Sequence, residues 1–211
     1  MSAQAPLPPR GVAEVLVIIP TRNAAEATRR SIESCLAQTV FCPVFVIDNA
    51  SDDDSLEDLL RSYESEATVS FFQNNKNLGR TGNWNRGLEL AEDRGAQYVR
   101  FLFSGDELLP NCQEECAQVL ADNPDVAALA HDYFFSTGTT QSVSRRPLRG
   151  RLDANTVDRL NHFDGGFMGS IVSNVYSMHA VGNHRFNETL VGKTSFDFHI
   201  LEEREAYYLP K

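Results

Sequence analysis

The sequence predicts a single α/β domain with a doubly wound, mostly parallel sheet flanked by helices. Short apolar runs recur along residues 15–130, and segments of helical periodicity separate them. The runs are continuous rather than alternating, which is typical of parallel strands buried on both faces. Polar side chains follow each of the first four runs. In such folds the carboxyl ends of the strands share one edge, where ligands bind.

Five apolar runs are the predicted strands of the first two thirds of the chain. The first, VLVIIP, is ended by Pro20. The others are Val44–Ile47, Thr68–Phe72, Tyr98–Phe103 and Val126–Ala130. Apolar residues at helical spacing predict helices between them, at about 25–37, 55–65, around 88–91 and 111–120.

The alternation weakens after His131, and the last third is harder to interpret. Residues 136–151 suggest a flexible segment or a hairpin, and residues 164–170 form a glycine-rich turn. A strand at 172–176 and a helix at 194–204 are expected. No internal repeat or linker marks a second folded domain.

Composition and charge argue against some classes of binding partner. The 211 residues have a net charge of −10, which argues against a general nucleic-acid binder and against an electrostatic attraction to anionic membranes. An anionic ligand would need positive charge focused at one site. With no secretory signal and no apolar run of about 18 residues, we expect a cytoplasmic protein with a flexible tail at residues 1–12.

The four cysteines are expected to be reduced and buried. Cys112 and Cys116 lie four residues apart on a predicted helix and so share one face. A zinc site would require two further ligands nearby, and the sequence around them offers none that is evident. Buried thiols are therefore favoured over a metal pair.

Five motifs occur in order along the chain: VIIPTRN, VIDNASDD, NKNLGRTGNWNRGLELA, FLFSGDELLP and GNHRFNETL with SFDFHILEE. Together they resemble the family-two glycosyltransferases of the GT-A fold over nearly the whole chain. The resemblance implies an inverting transfer of a sugar from a nucleotide-sugar donor. It also implies a nucleotide-sugar-binding half at residues 13–131 and an acceptor-side half at 132–211.

Several strand-end residues match the family's donor site. Thr21 and Asn23, after Pro20, could grip base or ribose or simply close a turn. Asp48 could accept a hydrogen bond from an N–H of a pyrimidine base, and this role is favoured over the alternative of an aspartate that caps a turn or a helix. Ser104 follows the fourth predicted strand. The resemblance assigns all five to nucleotide-sugar binding.

The stretch NKNLGRTGNWNRGLELA is denser in amide and guanidinium groups than a plain connection needs. Asn77 and Gly79 are expected to shape a tight loop, with Gly79 permitting positive φ. Arg80 supplies the positive charge that a base carbonyl or a diphosphate would need. Asn83 could fix the ribose or the loop itself, and Trp84 is expected to pack in the core.

The resemblance implies a Mg²⁺ or Mn²⁺ ion at the fourth strand end, but the motif departs from the family pattern. Gly105 stands where the family usually has an aspartate, and Asp106 remains. Such ions can be held by one or two carboxylates together with substrate phosphates. Asp106 is thus the predicted metal ligand, with a cap before Pro110 as the structural alternative.

Asp197 is the predicted general base, which would take the proton from an acceptor hydroxyl. Its position after GNHRF supports this role, and a helix-surface aspartate among neighbouring glutamates is the alternative. His199, two residues further on, is expected to be structural.

The expected reaction moves a sugar, from a UDP- or dTDP-linked donor, to a glycan or lipid-linked hydroxyl in cell-surface synthesis. Peripheral association with the inner face of the membrane stays open. The alternative is a non-catalytic nucleotide-sugar binder, which is supported by the departure from the family pattern at Gly105. A nucleotidyltransferase is disfavoured because PTRNAAEA, after the first strand, lacks glycine.

Overall fold

A computed structural model describes residues 13–52, 54–137, 140–163, 166–189 and 191–210. The tail expected at residues 1–12 and part of the glycine-rich turn at 164–170 lie outside the described residues. None of the helices described is both long enough and apolar enough to cross a bilayer.

An eight-stranded sheet forms the centre of the fold, in the order β3-β2-β1-β4-β9-β5-β10-β8, and a separate hairpin pairs β6 with β7. The strands are β1 Val15–Thr21, β2 Val44–Asp48, β3 Val69–Gln73, β4 Tyr98–Phe101, β5 Ala128–His131, β6 Tyr133–Thr137, β7 Thr140–Ser144, β8 Gly150–Leu152, β9 Asn174–Ser177 and β10 Ala206–Leu209. The helices are α1 Ala25–Leu36, α2 Ser55–Arg61, α3 Gly79–Arg94, α4 Cys112–Asp122, α5 Ala154–Phe163, α6 Met178–Val181 and α7 Gly192–Leu201, with a 3₁₀ turn at Ile171–Ser173.

The predicted doubly wound, mostly parallel sheet is confirmed. β1 pairs in parallel with β2 and β4, and β2 pairs in parallel with β3. Alternate side chains of β1 enter two apolar clusters on opposite faces of the sheet. One cluster includes residues of α3 and α7, and the other includes residues of α1, α2 and α4.

The last third of the chain adds β8, β9 and β10 to the sheet, and β9 is inserted in its interior. β9 lies antiparallel between β4 and β5, and β10 pairs in parallel with β5. The segment expected to be flexible or a hairpin does form the β6–β7 hairpin. The expected strand at 172–176 begins two residues later, because a 3₁₀ turn precedes it.

Two element boundaries near the strand ends differ from the sequence expectation. β4 ends at Phe101 rather than Phe103, so Leu102 and Phe103 already belong to the turn that carries Asp106. Helix α3 begins at Gly79, so Arg80, which was expected in a loop, lies in the first helical turn. α3 also packs tightly on the sheet, since a Cβ added at Gly87 would stand 2.7 Å from Ile18 Cγ2.

Candidate active site

A cleft of about 280 Å³ lies at the carboxyl ends of β1 and β2, beside the start of α3. Its lining includes five of the nine residues expected to bind the donor. Those residues are Pro20, Thr21, Arg80, Asn83 and Ser104. Arg22, Ala24, Asn49, Trp84 and Phe103 complete the lining. The sheet topology therefore brings separate sequence motifs to one opening, as expected for strands whose carboxyl ends share an edge.

Two cations, Arg22 and Arg80, line this cleft, and Arg22 is already paired with Asp52. Arg80 is the cation available to a ligand. Its guanidinium carbon lies 5.4 Å from the centre of the Trp84 ring, which is a cation–π distance. The Trp84 ring is 9% exposed and stacks on Phe103 at 5.2 Å. Trp84 is a packing residue, as expected, and it also gives Arg80 an apolar platform facing the cleft.

Asn49 organises the loop before α3. Its Nδ2 donates to Asn77 Oδ1 at 2.9 Å and to the Gly79 carbonyl at 3.0 Å. Its Oδ1 accepts from the Leu78 N–H at 2.8 Å. Asn77 Oδ1 also accepts from the Gly79 N–H at 2.8 Å, and Gly79 has φ +73°. Asn77 and Gly79 thus shape the loop that presents Arg80.

Asn83 is a bracing residue. It is 3% exposed. Its Nδ2 donates to the Ile47 carbonyl at 3.1 Å, and its Oδ1 accepts from Asn74 Nδ2 at 2.8 Å. Of the two roles left open by the sequence, the contacts of Asn83 are those of a residue that holds the loop to β2.

The β1 loop is tied to the β2 loop through Asn23. Asn23 Oδ1 accepts from the Asp52 N–H at 2.8 Å, and Asn23 has φ +50°. Arg22 forms an ion pair with Asp52 at 2.6 Å. The Thr21 hydroxyl lies 2.7 Å from that of Thr28. These contacts hold one wall of the cleft in place, and Asn23 itself does not line the cleft.

Asp48 is buried beneath this wall and is 2% exposed. Its Oδ1 accepts from the Ser51 N–H at 3.0 Å and from the Ser51 hydroxyl at 2.6 Å. Its Oδ2 accepts from Gln73 Nε2 at 3.0 Å. The carboxylate is therefore engaged by its own turn, and a base N–H would have to displace or share one of these donors.

Asp48→Ala should weaken the binding of a nucleoside diphosphate by about 1–3 kcal/mol, as for loss of a hydrogen bond to a buried polar partner. Isothermal titration calorimetry measures this change. Ser51→Ala is the matched control, because it removes one donor from the turn and leaves the carboxylate in place. Unchanged affinity in a folded Asp48→Ala protein would exclude Asp48 from the base pocket.

The turn after β4 places Ser104 and Asp106 on different surfaces. Ser104 lines the cleft, whereas Asp106 lines a neighbouring cavity of about 150 Å³. The Gly105 N–H donates to Ser31 Oγ at 2.9 Å, and Gly105 has φ +99°. That backbone conformation disfavours any residue with a Cβ, which is a local reason for glycine at the position where the resemblance led us to expect aspartate.

Asp106 offers the oxygen chemistry that a Mg²⁺ or Mn²⁺ ion requires. Partial burial raises the pKa of Asp106, and a hydrogen bond from the backbone opposes that rise. Glu107 lines the same cavity and lies 3.7 Å from Arg30. One carboxylate completed by water and substrate phosphates is an acceptable set for these ions. Asp106 therefore offers suitable chemistry for a metal ligand, with Glu107 next to it in sequence, but it lines the neighbouring cavity and not the donor cleft.

Asp197 lies in α7 and lines a separate cavity of about 160 Å³. Its Oδ1 accepts from the Tyr176 hydroxyl at 3.0 Å, and its Oδ2 is paired with the Lys193 ammonium group. Burial raises the pKa of Asp197, and Lys193 opposes that rise. A carboxylate with a raised pKa next to a cavity has the character of a general base, but the structure also gives Asp197 two close internal partners.

The chain belongs to the family described as Glycosyl transferase family 2, whose model matches residues 16–186. It is 33% identical over 137 residues to the uncharacterized glycosyltransferase YibD of Escherichia coli (strain K12), covering 63% of this chain and 39% of that protein. It is 28% identical over 125 residues to the uncharacterized glycosyltransferase MJ1057 of Methanocaldococcus jannaschii, covering 57% of this chain and 42% of that protein. The chain thus matches about two fifths of the length of these relatives.

Solved structures show the same fold at low sequence identity. S. aureus TarS 1-349 in complex with UDP superposes with a TM-score of 0.72 at 17% identity, covering 94% of this chain and 60% of that one. The mannosyltransferase PcManGT from Pyrobaculum calidifontis, in complex with GDP-Man and Mn²⁺, gives a TM-score of 0.64 at 16% identity, covering 94% of this chain and 55% of that one. The predicted GT-A fold is confirmed.

Two residues important to the site were not singled out from the sequence. Asn49 is one, and its position directly after Asp48 at a strand end was the available signal. His131 is the other, because its imidazole lies with Cys112 and Cys116 in a group whose ligand atoms are within 4.8 Å of one another. All four cysteines are buried, as expected, but a third soft ligand does stand beside this pair.

Proposed function

We propose that the protein is an inverting glycosyltransferase that moves a sugar from a nucleotide-diphosphate donor to an acceptor hydroxyl. Membership of the family supports the class of reaction. The observation that carries the proposal is the cleft at the ends of β1 and β2, which combines Arg80 and the aromatic ring of Trp84 with polar groups of two strand ends. This combination suits a base, a ribose and a diphosphate.

We infer a UDP- or dTDP-linked donor, in keeping with the buried carboxylate of Asp48 next to the cleft wall. A pyrimidine base offers an N–H that a carboxylate can accept. TarS, in its complexes with UDP and with UDP-GlcNAc, binds a donor of this kind. The complex of PcManGT with GDP-Man contains a purine nucleotide. Calorimetry that compares UDP with GDP tests which base this chain binds.

When the sugar is transferred, the nucleoside diphosphate is the leaving group. Negative charge develops on the diphosphate, and this charge has to be stabilised. Arg80 would bind the phosphates from the first turn of α3. A divalent ion held by Asp106 would neutralise further charge on the same group. Ser104, on the turn between them, would position the donor through its hydroxyl.

On the acceptor side, Asp197 would take the proton from the attacking hydroxyl. Its cavity is lined by cationic and amide groups, namely Arg146, Asn161 and Lys193. Arg146, Asn161 and Met168 of the segment 133–170 line this cavity. That segment is the proposed determinant of the acceptor, which we take to be a glycan or a lipid-linked sugar at the cytoplasmic side of a membrane.

The second candidate is a non-catalytic nucleotide-sugar-binding protein. Two features favour it: Gly105 stands where the resemblance leads us to expect an aspartate, and Asp197 is already paired with Lys193 and Tyr176. Incubation of a radiolabelled donor with acceptor extracts separates the two functions, because a binder protects the donor without transferring its sugar.

A thermal-shift experiment tests the donor site itself. Saturating UDP should raise the melting temperature, since a ligand that binds the folded state stabilises it by mass action. Arg80→Gln should remove most of this shift because the phosphates lose their cation. Arg86→Gln is the control, since Arg86 forms its ion pair with Glu89 and does not line the cleft. An equal shift in the Arg80 and Arg86 variants would contradict the proposed diphosphate site.

A further inference from the structure

The guanidinium of Arg100 is completely buried in the centre of the sheet, on β4. It donates to Gln113 Oε1 at 2.9 Å, to the Val172 carbonyl at 3.2 Å and to Cys112 Sγ at 3.3 Å. Its Nη2 also lies 2.6 Å from His131 Nε2. None of these four partners is a carboxylate, and the Arg100 Nε has no hydrogen-bond partner within the part of the chain that the structure describes. Because arginine stays charged in proteins, this cation requires an anion.

Cys112 is the partner that can become one. His131 Nδ1 lies 2.7 Å from the Asp132 carbonyl and so carries the proton, which leaves the neutral Nε2 as an acceptor for Arg100. Gln113 and the Val172 carbonyl are neutral. The thiols are thus the groups near the guanidinium that can ionise to match it, and Cys112, whose Sγ lies 3.3 Å from Arg100 Nη1, is the better placed, although Arg100 also acts on Cys116.

The surroundings of Cys112 favour its thiolate. A hydrogen bond from the Cys116 thiol and the charge of Arg100 lower the pKa of Cys112 well below the usual range, against the opposing effect of burial. The same hydrogen bond and burial raise the pKa of Cys116. Cys112 is also the first residue of α4, and a helix N-terminus stabilises a thiolate. The rim carboxylates of Asp106, Glu107 and Asp132 oppose it from across the cavity.

A metal ion does not fit this cluster. Cys112, Cys116 and His131 have soft ligand atoms close enough for zinc. However, Arg100 already contacts both Cys112 Sγ and His131 Nε2. Its buried guanidinium would repel a dication held by the same two atoms. Arg100 occupies the position of the cation in this group.

Cys112 is also within reach of small molecules. The cavity that contains Asp106 is lined by Cys112 and Arg100 at its inner end and by exposed Leu109 and Phe134 at its outer end. Cys35, Cys42 and Cys116 do not line it. Of the four cysteines, Cys112 therefore combines an adjacent cation with an approach from solvent.

We propose that Cys112 is a thiolate held by Arg100 and that it is a modification site for hydroperoxides and small alkylating agents entering this cavity. With a hydroperoxide, the sulfur attacks the terminal oxygen and the O–O bond breaks. A sulfenic acid forms on Cys112, and the other oxygen leaves as hydroxide or alkoxide. The sulfur is oxidised and the peroxide is reduced.

The modification would remove the charge that balances Arg100, because a sulfenic acid is neutral. The cavity of about 150 Å³ beside Cys112 has room for the added oxygen.

The first test is native-state labelling of the reduced protein with iodoacetamide, followed by peptide mass spectrometry. Cys112 should react at least tenfold faster than each of the other three cysteines. Its rate should also change little between pH 6 and pH 9, because the thiolate is already formed. An ordinary thiol would instead react about tenfold faster per pH unit below its pKa of about 8.5. A rate that climbs in this way, or labelling no faster than at Cys116, would overturn the proposal, as would stoichiometric zinc in the purified protein.

The second test compares Cys112→Asp with Cys112→Asn, two side chains of nearly equal shape. A buried carboxylate is normally more destabilising than a buried amide. Opposite an unbalanced Arg100, the order should reverse, and the Asp variant should have the higher melting temperature at pH 7.5. The same pair at Ala91, which is buried in the apolar cluster on the other face of the sheet, is the control and should show the normal order. A less stable Asp variant at position 112 would contradict the pairing. If neither variant folds, the labelling of the wild-type protein still tests the proposal.

Discussion

Asp197→Asn should lower the rate of sugar transfer by about 10²–10⁴-fold, because an amide cannot take a proton from the acceptor hydroxyl. The substitution keeps the shape of the side chain and its hydrogen bond with Tyr176. Donor affinity should be unchanged, since Asp197 lines a cavity separate from the donor cleft. Initial rates with labelled donor, together with calorimetry for UDP, measure the two effects.

Lys193→Met provides the matched comparison for Asp197. The Lys193 ammonium opposes the effect of burial on the pKa of Asp197. Without it, that pKa should rise further, and the acidic limb of the pH–rate profile should move to higher pH because the base works only when deprotonated. A folded Asp197→Asn protein with the wild-type rate would remove Asp197 from the mechanism, and Glu202 and Glu203 would be tested next.

Mn²⁺ or Mg²⁺ should tighten the binding of a nucleoside diphosphate by about tenfold or more, and Asp106→Ala should abolish that gain. A carboxylate together with the phosphates supplies the oxygen ligands that these ions prefer. Calorimetry with metal and with chelator gives the difference directly.

Glu107→Gln is the control for the metal prediction, because Glu107 lines the same cavity and lies beside Arg30. It should retain most of the metal effect. Equal affinity of the wild-type protein in chelator and in Mn²⁺ would show that donor binding does not depend on a metal.

The strand ends were predictable because their signal is local. A continuous apolar run followed by polar residues identified β1 and β2 directly, and their shared edge followed from parallel pairing. The first turn of α3 was missed because its residues include Gly79, Gly82 and Asn83, which are poor helix formers. Tertiary hydrogen bonds from Asn49 and Asn83 fix that turn instead.

The cysteine cluster illustrates what local patterns cannot reveal. His131 follows a strand distant from Cys112 in sequence, and Arg100 is an isolated charge within an apolar run. Only the pairing of β4 and β5 around β9 brings them together. A charged residue within a predicted buried strand was the available signal, since such residues are rarely buried without a partner.

The position of β9 determines when this chain can fold during its synthesis. Strand β5 pairs only with β9 and β10 among the described strands, and both are made more than 40 residues after it. At about 5–20 residues per second, the ribosome would hold β5 unpaired for several seconds. A fragment ending at His131 should therefore be protease-sensitive and prone to aggregation, however complete its nucleotide-binding motifs are.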